Sequence, residues 1–222
     1  MPSIPYDPIK DFAAISVLGT VSMSVVVHPS VPAKTLRELV AQVRSKPGQY
    51  AYASTGVGGI NHLGGELLKL QAGKLDIVHV PYKSSGLALQ DLIGGHIPVA
   101  VTTVSSAMHS HRDKRVRILA VAAENRSQAA PDIPTAIEAG VPGMVAYTFN
   151  ALLFPAGTPN AIIERWTRTA ATVMGEDVFV KELVGLGIEP IRESNPTHAA
   201  EFMKRELARW VPVIKSAMLS GQ

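Results

Sequence analysis

The sequence predicts an α/β fold, and three observations carry that expectation. Between Gln49 and Ala123, short β-branched or aromatic runs alternate with amphipathic helical segments. The connections between successive runs are long enough for crossovers, which a parallel sheet requires. Three of the strands end in hydroxyl-bearing turns: Ser54-Thr55, Tyr82-Lys83-Ser84 and Thr102-Thr103. In an open α/β sheet, the carboxyl edge of the strands is where ligands bind.

The elements follow in order. Phe12 to His28 reads as a long strand with Val25-Val26-Val27 as a buried run, able to bend near Thr20 to Ser24. Pro29 and Pro32 stop it. Thr35-Leu36-Arg37-Glu38 has the form of a capping box, followed by Leu36, Leu39, Val40 and Val43 at helical spacing. Pro47-Gly48 ends that helix. Strands are expected over Tyr50 to Ala53, Asp76 to Pro81, Ile97 to Thr103 and Val116 to Ala122. Helices are expected from Ile60 to about Ala72, into Leu92, and over Ser105 to His111. The first of these offers Leu63, Leu67, Leu68 and Leu70 as a buried stripe. Pro131, Pro134, Pro142 and Pro155 punctuate an irregular connection, within which Tyr147 to Phe154 is strand-like. Thr158-Pro159 reads as an N-cap with proline at the first helical position. Ile162, Trp166, Ala170 and Val173 form one stripe of that helix. A helix over Asp177 to Leu186 follows. Asn195-Pro196 starts a last long helix with Met203, Leu207, Trp210 and Ile214 on one face.

The stretch from Gln49 to Leu63 is the most informative. Its strand ends in Ser54 and Thr55. Gly56, Gly58 and Gly59 then let the backbone bend and let a ligand approach closely. A helix starting at Ile60 points free N–H groups and the positive end of its dipole over that turn. This is an anion site made of backbone. With no Lys or Arg in the turn, a carboxylate there relies on N–H groups and hydroxyls. The alternative is a plain strand-to-helix connection.

Composition narrows the classes. Net charge is +3, from 21 Lys and Arg against 18 Asp and Glu, with no basic run that would grip nucleic acid. No nucleic-acid partner is expected. The absence of cysteine excludes disulfides and thiolate metal sites. No apolar run approaches the ~20 residues of a membrane span, so direct membrane insertion is not expected. Met1 to Pro8 shows no basic region followed by an apolar stretch, so no signal peptide is expected there. No cofactor is expected either. The glycine spacing is not G-x-G-x-x-G, and no Gly-Lys-Ser/Thr follows.

Other chemistry is poorly supported. Ser54 with His62 could be nucleophile and base, but no nucleophile elbow surrounds Ser54 and no acid is placed to orient the histidine. His109, His111 and Asp113 lie close in sequence, yet a helix would turn the two histidines to different faces. A solvated helix end accounts for them. Lys83 could reach an anion or simply stand on the surface. Trp166 and Trp210 fit helix packing.

The ordered motifs resemble the solute receptors of tripartite tricarboxylate transporters, the Bug family. The resemblance rests on Pro5-Tyr6-Asp7-Pro8-Ile9-Lys10-Asp11-Phe12, Val31-Pro32-Ala33-Lys34-Thr35, Tyr52-Ala53-Ser54-Thr55-Gly56 with His62-Leu63, and Val78-His79-Val80-Pro81-Tyr82-Lys83. It continues through Pro131-Asp132-Ile133-Pro134-Thr135, Glu138-Ala139-Gly140, Pro155-Ala156-Gly157-Thr158-Pro159 and Gly187-Ile188-Glu189-Pro190. Each motif is weak alone, and their order over nearly the whole chain makes the match specific.

The resemblance implies a two-lobed periplasmic-binding-protein type II-like α/β fold. It would close on a small carboxylate and present it to the membrane components of a transporter, in the periplasm. No catalytic residue, metal or cofactor is implied. The second lobe would be residues 25–145. The first would combine 1–24 with 146–222 and be incomplete, because the chain starts at the motif that follows the family's leader and first-lobe segment. A second reading follows from that start: a shortened non-transport remnant, or a sensing or interaction module. Ligand-binding residues implied are Ser54, Thr55, Gly56, Gly58, Gly59, His62, Tyr82, Lys83, Thr102 and Phe149. Thr102 stands where the family often has Asp, a partner for a ligand's ammonium, which argues against amino-acid ligands. Ser84 replaces a common Gly, and Phe149-Asn150-Ala151 stands where an aromatic followed by Gly is usual.

Overall fold

The computed structural model describes residues 5–219. Among them are seven strands and seven helices. The chain divides into two compact units, one running up to Thr20 and from Phe149 to Pro212, the other from Val21 to Thr148 and from Val213 onward.

The unit from Val21 is built on a sheet in the order β3-β2-β4-β1-β5. Its strands are the second half of β1 (Phe12–Val27), β2 (Ala51–Ser54), β3 (Val78–Pro81), β4 (Val99–Thr103) and β5 (Arg117–Val121). β2 runs parallel to both β3 and β4, as the strand–helix alternation predicts. β1 is inserted antiparallel between β4 and β5, pairing Val25 with Val101 on one side and with Ala120 on the other. Periodicity sees only local order, so it marks Val25 to Val27 as buried without showing where the strand inserts.

Four helices join these strands: α1 (Leu36–Ser45), α2 (Ile60–Gln71), α3 (Ser85–Ile93) and α4 (Val104–Arg112). α1 buries the expected Leu36, Leu39, Val40 and Val43. Thr35 accepts from Glu38 N at 3.2 Å. The return bond of the expected capping box is displaced by one residue, since Glu38 Oε2 accepts from Lys34 N at 2.7 Å. α2 buries Leu63, Leu67 and Leu68, while Leu70 is 40% exposed and outside the stripe.

The two faces of this sheet differ. One packs on α3 and α4 through Ala53, Ala100, Val26, Ala88, Leu92, Val104 and Ala107, all buried and apolar. Each large aliphatic buried in this way contributes ~1.5–3 kcal/mol. The other face meets α2. There a Cβ on Gly64 would sit 3.3 Å from Val101, and one on Gly65 would sit 2.1 Å from the Tyr52 ring. α2 therefore lies close only because these two positions are glycine.

In the other unit, the first half of β1 pairs antiparallel with β7 (Glu189–Pro190), setting Gly19 against Pro190 and Thr20 against Glu189. β6 (Tyr147–Pro155) also pairs with β1. α5 (Asn160–Gly175), α6 (Asp177–Gly185) and α7 (Pro196–Leu219) complete the description, with the part of α7 from Val213 counted in the unit that starts at Val21. The predicted stripes are corrected here. α5 buries Ala170 and Met174, whereas Ile162 and Trp166 are exposed. Its N-cap is Pro159, and Thr158 instead donates its hydroxyl to Pro155 O. α7 buries Ala199, Phe202, Glu206 and Val213, leaving Leu207 exposed. Its inner face is rotated from the expected one because Glu206, bonded to Arg209 and Trp210 Nε1, takes an inside position. Pro212 removes one N–H from the ladder of this helix.

Candidate functional site

The carboxyl ends of β2, β3 and β4 open into α2, α3 and α4, so three helix N-termini share one sheet edge. Two of them are capped by their own side chains. Ser84 Oγ accepts from Leu87 N at 3.3 Å, and Thr103 Oγ1 accepts from Ser106 N at 3.3 Å. α2 differs. Its N-cap is Gly59, with no side-chain cap. The N–H groups of Ile60, Asn61 and His62 have no carbonyl one turn back to accept them. They carry the positive end of the helix dipole. The geometry is that of an anion site.

The turn before α2 depends on glycine at two positions. Gly56 and Gly58 adopt φ of +94° and +83°, in the region that side chains disfavour. Val57 between them is 74% exposed. Tyr82 N donates to Ser54 O at 2.8 Å, which ties the second polar turn to the first. Thr55 Oγ1 lies 3.9 Å from where a Cβ on Gly59 would be, so this hydroxyl stands beside the uncapped terminus.

Beneath the turn is a buried polar layer between the sheet and α2. Tyr52 and His79 are register partners on β2 and β3, with rings 5.0 Å apart. Ser54, two residues beyond Tyr52 and on the same face, places Oγ 2.6 Å from His79 Nε2. The His79 ring stacks on His62 of α2 at 4.2 Å. His62 Nδ1 accepts from Gly58 N at 3.2 Å. Its Nε2 lies 3.9 Å from Glu66 Oε1, which also accepts from the Tyr52 hydroxyl and from Lys69 Nζ, both at 2.9 Å. Burial holds the His62 ring below the usual imidazole range, against the pull of Glu66. Burial and the neighbouring His62 push His79 down to about 4. Burial and the Glu66 carboxylate raise the Tyr52 phenol above its ordinary value. Both histidines are therefore neutral at pH 7.

The remaining residues marked in the sequence fall in several places. Ser54 is 1% exposed and engaged with His79, not His62. Its hydroxyl thus supports the turn from behind and has no route to an attacked carbonyl. The Tyr82 hydroxyl donates to Asp91 Oδ2 at 2.8 Å, inside its own turn and helix. Lys83 is exposed beside it. Thr102 is 4% exposed, and its Oγ1 has no hydrogen-bond partner among the described residues. Val101 faces α2, so Thr102 points to the opposite side of the sheet. Phe149 belongs to the other unit, where its ring meets Phe202 edge-on at 5.1 Å. His109 contacts Asp113, and His111 Nδ1 accepts from Ile118 N. Among the described residues, no group of three or more His, Cys, Asp or Glu could hold a metal ion.

His79 and Glu66 are the residues that sequence reasoning passed over. Their signal was present. His62 and Glu66 are spaced i,i+4, and His79 alternates with Val78 and Val80 in a strand.

The comparisons with known proteins agree with this architecture. The model of the tripartite tricarboxylate transporter family receptor matches residues 1–219. Protein BugT of Bordetella pertussis is 32% identical over 215 residues, covering 97% of this chain and 65% of that protein. A protein encoded in the tcbD-tcbE intergenic region of Pseudomonas sp. strain P51 is 31% identical, covering 99% of this chain and 65% of its own length. The chain thus spans just under two thirds of these curated relatives. Among solved structures, R. palustris Rpa4515 with adipate superposes with a TM-score of 0.86 at 31% identity, covering 97% of this chain and 72% of that one. MatC from Rhodopseudomonas palustris with bound malate gives 0.82 at 28% identity, covering 96% and 73%. From its fold and these matches together, the chain belongs to the tripartite tricarboxylate transporter receptor family.

Proposed function

We propose that this chain binds a small carboxylate as the solute receptor of a tripartite tricarboxylate-type transporter. The observation that carries the reading is the N-terminus of α2. It is uncapped, it follows a bend made of glycines, and it lies at the carboxyl edge of a parallel sheet. A carboxylate seated there accepts from the N–H groups of Ile60, Asn61 and His62 and from the Thr55 hydroxyl. Gly56, Gly58 and Gly59 allow the close approach. Ser54 and His62 act from beneath. Tyr82 and Lys83 flank the bend. Thr102 and Phe149 are assigned to ligand binding by the family resemblance alone. No Lys or Arg belongs to the turn itself, so recognition is by hydrogen bonds, and selectivity among carboxylates falls to the rest of the ligand.

The family relationship supports the finer reading. A structural neighbour holds adipate and another holds malate. Residues 25–145 would be the ligand-holding second lobe, and residues 1–24 with 146–222 would belong to the first. Ligand binding would favour one of two conformations, which the membrane components of the transporter then recognise. The periplasm is the compartment that fits this role. Among the described residues, no helix is long and apolar enough to cross a membrane.

Calorimetric titration with adipate, malate, a tricarboxylate and an uncharged diol of adipate's length tests the reading. Binding of at least one carboxylate, with none of the diol, is expected. Equal binding of the diol, or no heat from any carboxylate, would contradict it.

A further inference from the structure

We propose that His62 and His79 are positioning residues for the anion site, which hold the two ends of the Gly56–Gly58 bend. The proposal deepens the carboxylate reading and rests on it.

The hydrogen bonds define where the ring protons are. Gly58 N–H donates to His62 Nδ1 at 3.2 Å, so Nδ1 carries a lone pair and the neutral ring has its proton on Nε2, toward Glu66. Ser54 has one hydroxyl proton and two polar neighbours, Gly56 O at 3.3 Å and His79 Nε2 at 2.6 Å. Both bonds form together when His79 Nε2–H donates to Ser54 Oγ and Ser54 donates onward to Gly56 O. One imidazole then fixes Gly58 directly, and the other fixes Gly56 through Ser54. The rings lie against each other at 4.2 Å, tilted by 39°, so the two latches are direct neighbours. Neither imidazole is offered to the anion: His62 Nδ1 takes the Gly58 N–H and its Nε2 faces Glu66, so the backbone N–H is the part of His62 that would meet the ligand. Both act through the shape of the bend.

The charged and titratable groups facing this pair are Tyr52 from β2, and Glu66 and Lys69 from α2. Glu66 Oε1 accepts from the Tyr52 hydroxyl and Lys69 Nζ and stays 3.9 Å from His62 Nε2, so its charge favours the protonated His62 ring without a hydrogen bond to it. A proton added to His62 enters at Nδ1. It then opposes Gly58 N–H, donor against donor, and that latch opens. A proton added to His79 leaves its Nε2–H in place and puts a charge against the other ring. Acid therefore acts on the bend chiefly through His62.

The experiment uses the full chain, labelled with 15N and 13C, and titrated from pH 8 to pH 5. Ring nitrogen spectra report the tautomers, and the Gly58 amide reports the bend. The expected result at pH 8 is a neutral His62 with its proton on Nε2. The Gly58 amide shift then follows the His62 titration. A charged His62 at pH 8, an Nδ1–H tautomer, or a Gly58 amide indifferent to the ring would overturn the proposal. His62→Asn keeps a side-chain acceptor but cannot titrate. One pH unit below the ring's pKa about a tenth of the pair remains neutral, so wild-type affinity for adipate should fall about tenfold there. The His62→Asn protein should lack this fall. Protonation of adipate itself is common to both proteins, so the ratio of their affinities is read. An equal fall in both would overturn the proposal. If His62→Asn fails to fold, the wild-type titration still decides. If adipate, malate and a tricarboxylate all fail to bind the wild type at any pH, the carboxylate reading fails, and the Gly58 and ring signals still judge the latch.

Discussion

Three helices leave the same edge of one sheet, and they differ at the N-cap. α3 and α4 begin with Ser84 and Thr103, whose hydroxyls accept from their own first-turn N–H groups. α2 begins with Gly59, which has nothing to offer. A hydroxyl cap spends the terminal N–H groups inside the fold, whereas glycine leaves them for an outside anion at a helix-stability cost of only a few tenths of a kcal/mol. The layers beneath differ in the same sense. α3 and α4 rest on an apolar core, while α2 lays its own His62 and Glu66 against Tyr52, Ser54 and His79 of the sheet. The capped helices end as structure, and the uncapped one is supported from below by polar groups that hold its entry turn.

Gly65→Ala should break the α2 side most severely. Its Cβ would lie 2.1 Å from Tyr52 Cε2, so the ring must leave its place and its bond to Glu66. Overpacking of this kind costs ~3 kcal/mol. Urea denaturation reads it, and an unshifted midpoint would contradict the packing.

Gly59→Ser makes α2 resemble its neighbours. A Cβ there meets nothing closer than Thr55 O at 3.5 Å, so the change is sterically mild. The new hydroxyl should stabilise the free protein by a few tenths of a kcal/mol. It should weaken adipate binding about tenfold or more, because it competes for N–H groups whose bonds to a charged ligand contribute ~1.5–3 kcal/mol. Unchanged affinity in calorimetry would remove the α2 terminus from the site.

The converse changes, Ser84→Ala and Thr103→Ala, should each cost ~1 kcal/mol of stability and leave adipate affinity alone. A loss of affinity from either would erase the contrast. The smallest effect expected is from Thr102→Val. Its buried hydroxyl has no hydrogen-bond partner among the described residues, so an apolar replacement of the same shape should raise stability by up to ~1 kcal/mol in thermal unfolding. A marked loss of stability would show that the hydroxyl is satisfied after all.

Local order was readable from the chain. The glycines at 56, 58 and 59, the hydroxyls before them and the leucines after them announce the turn and α2. Strand–helix alternation gave the parallel β2, β3 and β4. Non-local facts were not readable. The insertion of β1 between β4 and β5 depends on pairings more than 70 residues apart in sequence, as between Met23 and Thr103. The Ser54–His79 contact needs the β2–β3 register, which brings Tyr52 beside His79. A helical stripe drawn from apolar spacing misplaced the inner face of α7, because Glu206 can go inside once Arg209 and Trp210 satisfy it. Leu70, Trp166 and Leu207 show the same limit, since apolar residues can also be exposed.

The most direct test of the central claim is amide mapping by NMR on addition of adipate or malate, with Gly59→Ser as the comparison protein. The uncapped-terminus account predicts that the amides of Gly58, Ile60, Asn61 and His62 shift on binding, and that Gly59→Ser weakens those shifts. Perturbation confined to the capped termini at Leu87 and Ser106, with the α2 amides silent, would contradict it.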